Sequence, residues 1–239
     1  MSALASSWPA DTYVLIPAYK SAHMLATFLP RLLRQTPAAN ICLVDDASED
    51  GTELIAKRLG IETIKHSVNE GKGKCLRDGF EFLVDRKQAR WVLTMDADGQ
   101  HSTEDIPFFL DYARRFPDAG ICIGKRDFSL SVMPMPRIVS NILTSAVLTL
   151  LTGNKILDSQ CGFRMYSARL LKRVSCVYQR FEMESEIIQK ASFNHFSIGF
   201  VKVQTLYLND SSHISHFKDT LRWLRAVLGV WRELRTGHL

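Results

Sequence analysis

Two carboxylates one residue apart, Asp96 and Asp98, followed by the amide of Gln100, close the apolar run Trp91-Val92-Leu93-Thr94-Met95. Hard oxygen donors at this spacing suit Mg²⁺ or Mn²⁺, ions that keep several waters and share a substrate's phosphates. An Asp-x-Asp is also a common acidic turn, so its surroundings decide what it does. Other polar stretches follow apolar runs in the same way. Pro17-Ala18-Tyr19 ends the run Tyr13 to Ile16, and Asp45-Asp46 ends Ile41 to Val44. Lys72 and Lys74 lie in a glycine-flanked turn just before a helical pattern, where backbone N–H groups and the helix dipole favour anions.

These residues need elements that bring them together. Apolar spacing predicts strands at Tyr13–Ile16, Ile41–Val44, Ile61–Ile64, Trp91–Met95 and Ala119–Gly124. Between them, helical periodicity runs through Met24 to Leu33, Thr52 to Leu59, Leu76 to Val84 and Thr103 to Arg115. Strands alternating with helices predict an α/β fold with a mostly parallel sheet and right-handed crossovers, which gathers strand C-termini, and so the polar stretches, along one edge. Beyond Ser129 the pattern changes. Ile138 to Leu151 is strongly apolar but falls short of the roughly 20 residues that span a bilayer, so a buried or interfacial helix is expected. A polar loop from Asp158 to Arg164 follows, then a helix near Leu170, an acid-rich helix opening at Phe181, and Phe200 to Leu208, which alternates like an antiparallel strand.

The chain of 239 residues suits one domain. Residues 1–11 read as a loose tail with no secretory pattern. Residues 12–215 read as the domain, divided into halves 12–128 and 129–215, and residues 216–239 as a basic amphipathic helix. Along Phe217 to Leu234 apolar and basic residues segregate at helical spacing, with Trp223 and Trp231 on or near the apolar side, as in helices that lie in a membrane interface. With 46% hydrophobic and 23% charged residues the chain is neither disordered nor a membrane bundle. A net charge of +5 fits a nucleotide, phosphate or anionic lipid; no nucleic-acid partner is expected. Five scattered cysteines without Cys-x-x-Cys spacing suit the core of a reduced, cytoplasmic protein.

Taken together, Ile16-Pro17-Ala18-Tyr19, Val44-Asp45-Asp46-Ala47-Ser48-Glu49-Asp50-Gly51-Thr52, Asn69-Glu70-Gly71-Lys72-Gly73, Asp96-Ala97-Asp98-Gly99-Gln100-His101 and Asp158-Ser159-Gln160-Cys161-Gly162-Phe163-Arg164 resemble the family 2 glycosyltransferases of GT-A fold. Within them the chain is similar to the dolichyl- and polyprenyl-phosphate sugar transferases. The resemblance implies an inverting, metal-dependent enzyme that takes a sugar from a nucleoside diphosphate sugar donor. It places Pro17, Tyr19, Asp45, Asp46, Lys72 and Asp96 at the donor, Arg126, Arg137 and Arg164 on phosphate groups, and Asp96, Asp98 and Gln100 on Mg²⁺ or Mn²⁺. His213 or His216 could complete the metal shell. The alternative role for Asp45 and Asp46 is a helix-capping acidic turn, which Ser48 and Asp50 could provide in their place.

The acceptor decides whether a base is needed. A lipid phosphate is already anionic, whereas a glycan or glycolipid hydroxyl must lose a proton. Asp158 and Glu184 are the candidate bases. On a helix Glu182 and Glu186 share a face that Glu184 does not. The expected partners are the donor, a lipid-linked or glycan acceptor, and the inner membrane surface, reached by the apolar helix and the basic tail. Lys20-Ser21 stands where the family usually has Asn-Glu, and no Gln-x-x-Arg-Trp motif of processive synthases occurs. The rival readings are the same fold acting on a hydroxyl, a nucleotidyltransferase, which would want a glycine-rich loop after the first strand, and a non-catalytic nucleotide-sugar binder.

Overall fold

The computed structural model describes residues 8–129, 133–204, 206 and 216–236, with side chains of the last helix from 220 onward. Strands β1 (Thr12–Ala18), β2 (Ile41–Asp45), β3 (Glu62–Lys65) and β4 (Trp91–Thr94) are parallel neighbours in the order β3-β2-β1-β4. The chain steps outward from β1 to β3, then returns to lay β4 on the other side of β1. That reversal opens a crevice beyond the C-terminal ends of β1 and β4, the place where open α/β sheets take their ligands.

The second half extends the same sheet to seven strands, with order β3-β2-β1-β4-β6-β5-β7. Strand β5 (Ile121–Lys125) is parallel to β7 (Ile198–Lys202), and β6 (Arg164–Ser167) lies between β4 and β5, antiparallel to both. The expected strand from Phe200 thus starts earlier, ends at Lys202 and runs parallel to its neighbour, because β5 and β7 are joined by a crossover that contains helices. Residues 207–208 of that expectation lie outside the described residues.

Helices α1 (Ala22–Leu32), α2 (Thr52–Arg58), α3 (Lys72–Glu81), α4 (Ile106–Arg115), α5 (Met135–Thr152), α6 (Ala168–Arg173), α7 (Glu182–Phe193) and α8 (His216–Thr236) complete the fold. Asp50 starts two of them: it accepts from Ala22 N at the head of α1 and from Thr52 N at the head of α2. Every residue of α7 from Glu182 to Ala191 is buried. One of its covers is α8, which buries Ala226, Val227, Val230 and Leu234, donates from Trp223 Nε1 to Ser185 Oγ at 2.9 Å, and pairs Arg222 with Glu182. Much of the apolar side that suggested a membrane contact for this tail is packed against protein, while Leu221 and Leu224 of that side stay exposed.

Helix α5 has the opposite character. Its buried positions are Asn141, Thr144, Ser145 and Leu148, while Met135, Val139, Ile142, Leu143 and Leu150 are exposed. Polar side chains point in and apolar ones point out. At 18 residues α5 is long and apolar enough to cross a membrane by length and composition, more than the sequence spacing suggested. Its inner face is nevertheless bonded to the protein: Asn141 Nδ2 donates to Asp158 Oδ1 at 2.6 Å and the Thr144 and Ser159 hydroxyls meet at 2.8 Å. It therefore belongs to the domain rather than to a bilayer span.

Close approach of α3 to β1 sets the floor of the crevice. A Cβ on Gly79 would stand 2.3 Å from Leu15 Cδ1. Alanine favours a helix over glycine by about 1 kcal/mol, but overpacking a filled core costs about 1–3 kcal/mol. Gly79→Ala is therefore expected to lower stability in urea unfolding; a gain would show that the contact yields without strain.

Candidate active site

The crevice is assembled from four strand ends and two loops. After β1, the turn Tyr19-Lys20-Ser21 is tied to the loop after β2: Lys20 N donates to Ser48 Oγ at 2.8 Å and Ser21 N to Thr52 Oγ1 at 2.9 Å. With Ser48, Asp50 and Thr52 occupied in this way, Asp45 is spared the capping role. Its Oδ1 accepts from Ser48 N, and its Oδ2 is buried with no hydrogen-bond partner. Tyr19 is 47% exposed at the rim, one residue beyond Ala18, which pairs with Asp45 across β1 and β2, and Pro17 is buried.

Asp46 points the other way. Its carboxylate accepts from Glu70 N at 2.9 Å and Gly71 N at 2.8 Å, and meets His66 Nδ1 at 2.8 Å. Burial works to raise its pKa, but these hydrogen bonds outweigh it and hold the carboxyl below the usual range. His66 Nε2 in turn meets Asp78 Oδ2 at 3.0 Å. Asp46, His66 and Cys75 have the donor types of a transition-metal site. Here the first two are engaged with protein partners, and burial followed by the Asp46 charge pushes the Cys75 thiol up, so the group acts as a brace. It fixes the turn that begins α3. The ribose contact expected of Asp46 is not what its placement offers, because its oxygens face the main chain of residues 70–71.

That turn is also clamped from the far side. Gly71 has φ of +96°, and a Cβ there would stand 2.7 Å from Gln179 O; Gly73 meets Arg180 O at the same distance. Only glycine permits both the conformation and the approach. The clamp delivers Lys72 to the end of β4, where its Nζ lies 2.7 Å from Asp96 Oδ1 and 3.3 Å from Glu184 Oε2. Lys74 turns away and pairs with Asp78.

Asp96 is placed by three neighbours. Its main-chain N–H donates to His101 Nδ1 at 3.2 Å, and His101 stacks on Phe163 with centroids 4.9 Å apart. Burial lowers His101 to about 4, so the imidazole is neutral and its Nδ1 is free to accept. Gly162 leaves room for the carboxylate: a Cβ there would stand 2.4 Å from Asp96 Oδ2. Burial alone would raise the Asp96 carboxyl, but the Lys72 charge overrides it and brings it to about 2. Asp98 stands at the exposed rim and accepts from Gln100 N at 3.0 Å. Loss of solvation inside the crevice, then repulsion from Asp96, pushes its carboxyl up to about 6, with Arg137 among the charges that oppose the rise. Two carboxylates that disfavour each other's charge are the donor set a divalent cation relieves, so Mg²⁺ or Mn²⁺ fits between Asp96 and Asp98.

Asp158 is wholly buried. It accepts from Arg126 Nε at 2.9 Å and Nη2 at 3.0 Å, from Asn141, and from Gln160 N and Cys161 N. Burial opposes its charge, but the Arg126 hydrogen bonds and charge hold the carboxyl below the usual range. Both of its oxygens are engaged by these donors, which leaves neither free to take a proton from an acceptor hydroxyl; its placement orients Arg126 instead. Arg164 is also wholly buried, donating to Cys161 O, Glu184 O and Ser159 O at 2.6–2.9 Å. A phosphate cannot reach it, and it braces the loop before β6 against α7. Glu184 faces the site, whereas Glu182 pairs with Arg222 and Glu186 with Lys190. His213 lies outside the described residues, as does the side chain of His216 at the head of α8.

A mostly parallel sheet with a reversal beside β1 and paired acids at the end of β4 is the arrangement of the GT-A fold. The crystal structure of glucosyl-3-phosphoglycerate synthase from Mycobacterium tuberculosis, in complex with Mn²⁺, UDP and glucosyl-3-phosphoglycerate, shares the fold with a TM-score of 0.71 at 15% identity, covering 94% of this chain and 80% of that one. Residues 13–175 match the description glycosyl transferase family 2, and the chain belongs to that family. UDP-N-acetylglucosamine–dolichyl-phosphate N-acetylglucosaminyltransferase of Methanococcus voltae is 31% identical over 219 residues, spanning 82% of this chain and 85% of that protein. Polyprenol monophosphomannose synthase of Mycolicibacterium smegmatis is 28% identical over 174 residues, spanning 68% and 64%. The protein is thus a glycosyltransferase enzyme.

If Asp98 is a cation ligand, binding requires its ionised carboxylate, and protons compete below its raised pKa. Mn²⁺ affinity is expected to be flat above about pH 6 and to fall by up to ~tenfold per unit below it. Titration calorimetry across that range checks the sign; a rise on acidification would contradict it. Gly162→Ala, which forces a side chain onto Asp96, is expected to weaken Mn²⁺ binding in the same measurement while leaving the far-ultraviolet spectrum unchanged.

Proposed function

We propose that the protein is an inverting, metal-dependent transferase that moves a sugar from a nucleoside diphosphate donor to a polyprenyl-phosphate acceptor at a membrane surface. The observation that carries the acceptor half is the inside-out helix α5. Its polar positions hold the Asp158 loop, and the helix, which exposes an apolar stripe, itself contains no acidic residue. Apolar side chains facing outward on the helix whose inner face holds the Arg126–Asp158 pair suit a bilayer that presents an anionic headgroup. The relatives named for dolichyl-phosphate and polyprenol-phosphate products support the same class.

Asp45, with its buried unpartnered Oδ2, accepts an N–H or hydroxyl of the nucleoside between Pro17 and Tyr19. Asp96 and Asp98 hold the cation, which supplies Lewis-acid stabilisation of the departing diphosphate, and Lys72 adds a second positive charge there. Arg126, positioned by Asp158, and Arg137, within electrostatic reach of Asp98, receive the acceptor phosphate. One of its oxygens attacks the anomeric carbon from the face opposite the diphosphate, so the new C–O bond forms as the bond to the diphosphate breaks. A phosphate nucleophile carries its own negative charge, which fits a site whose candidate base Asp158 is locked. Membrane contact falls to α5, on the cytoplasmic side where nucleotide sugars are made.

Labelled nucleotide sugars offered with Mn²⁺ and polyprenyl phosphate in vesicles test the reading. Label is expected in the organic phase, and Asp98→Ala is expected to reduce turnover by about 100-fold or more, the scale of a lost metal contact. Label appearing only on a soluble glycan would contradict the lipid acceptor. In vesicle co-sedimentation, Ile142→Glu with Leu143→Glu on α5 is expected to abolish binding, and Leu221→Glu with Leu224→Glu on α8 to leave it unchanged; the reverse pattern would return the membrane contact to the tail.

A further inference from the structure

Lys72 has a feature that donor binding alone does not require: its ammonium bridges two carboxylates that belong to different elements. Nζ is 2.7 Å from Asp96 Oδ1 at the end of β4 and 3.3 Å from Glu184 Oε2 on α7, and it lies 5.8 Å from the centre of the Phe181 ring. The second carboxylate is incompletely used. Glu184 Oε1 is buried with no hydrogen-bond partner, and the nearest guanidinium nitrogen, Arg164 Nε, is 3.8 Å away. The carboxylate that Lys72 holds through Oδ1 is the one read above as a ligand of the divalent cation. Lys72 and that cation cannot both sit within contact distance of it without strong repulsion.

We propose that Lys72 is the internal counter-ion of Asp96, exchanged for the divalent cation by moving onto Glu184. This rests on the reading of Asp96 and Asp98 as the cation ligands. Glu184 is then a positioning residue, a second berth that keeps the ammonium paired and beside the diphosphate while Asp96 turns to the metal. The exchange has two consequences. Cation alone binds weakly, because it must displace an ion pair in a partly desolvated crevice. Cation with a nucleoside diphosphate binds more tightly, because the phosphates offer Lys72 a new anionic partner. The pairing also explains why a half-buried lysine sits on a turn clamped by two glycines and a buried Asp46–His66 brace: an ammonium that must reach either of two carboxylates a few ångströms apart needs a fixed backbone origin.

Mn²⁺ alone is titrated into the full-length protein, with free Mn²⁺ followed by electron paramagnetic resonance. Lys72→Met removes the competing charge and keeps the stem, and is expected to tighten Mn²⁺ binding by about tenfold, on the scale of an ion pair in intermediate dielectric. Glu184→Gln removes the second berth and is expected to weaken it by several-fold. A general field effect would also give these signs, so the double variant decides. Once Lys72 is gone, Glu184→Gln should have no further effect, and an undiminished weakening in the double variant overturns the exchange. Equal or weaker Mn²⁺ binding by Lys72→Met overturns it as well. If Lys72→Met does not fold, Glu184→Gln against wild type, with and without UDP, carries the test: the weakening should shrink when UDP is present, and a weakening of equal size overturns the proposal. Mn²⁺ binding by the wild type that Asp98→Ala does not change would instead refute the cation site itself.

Discussion

A carboxylate at the end of a buried parallel strand must be matched by positive charge, and much of this crevice is arranged around that need at Asp96. Desolvation alone would drive the acid toward its neutral form; Lys72 at 2.7 Å reverses the balance. Each support of that contact is itself over-determined. Gly162 makes the space, His101 holds the main chain by a neutral imidazole, and the glycine turn is pinned between Gln179–Arg180 and Asp46. The neighbouring Asp98 carries the repulsion that remains, and its upward shift to about 6 marks where another positive charge belongs. The chemistry of a departing diphosphate asks for positive charge at that same place.

The second constraint is the boundary between protein and surroundings along α5. An ordinary surface helix buries its apolar stripe; here the stripe faces out, and Asn141, Thr144 and Ser145 are committed to the Asp158–Ser159–Gln160 loop. That loop orients Arg126 through a two-point guanidinium–carboxylate contact. The helix proposed to meet the lipid surface and the arginine proposed to meet phosphate are thereby linked through a single buried acid. Helix α8, amphipathic and rich in basic residues, shows the alternative outcome, since α7 supplies a partner for much of its apolar side.

Much of this was legible in the residues alone. The alternation of strands and helices up to β5 set the parallel sheet, and acids closing buried strands put Asp45 and Asp96 on one edge. Strand β6 was not legible, because Arg164 to Ser167 is short, buried on both faces and begins inside the loop motif, so it shows no alternation. The direction of β7 depends on which edge of the sheet receives it, a tertiary choice. The split between Asp45 and Asp46 was hidden for a similar reason: adjacent residues at a strand end face opposite ways, and only the approach of His66 and the residue 70–71 amides shows which one is consumed. Asp158 and Arg164 have the residue types of a phosphate and proton-transfer site, but burial assigns them to its support. The inverted pattern of α5, by contrast, stands in the sequence as Asn141, Thr144, Ser145 and Leu148 at helical spacing.

The central claim is that a divalent cation sits between Asp96 and Asp98 against the diphosphate. Anomalous diffraction at the manganese edge, from crystals grown with Mn²⁺ and UDP, tests it directly. The account predicts one strong peak within bonding distance of both carboxylates and of a diphosphate oxygen, with Lys72 Nζ withdrawn from Asp96 Oδ1. A peak at Asp46, His66 and Cys75, or a bound nucleotide with no metal at Asp96 and Asp98, would contradict it.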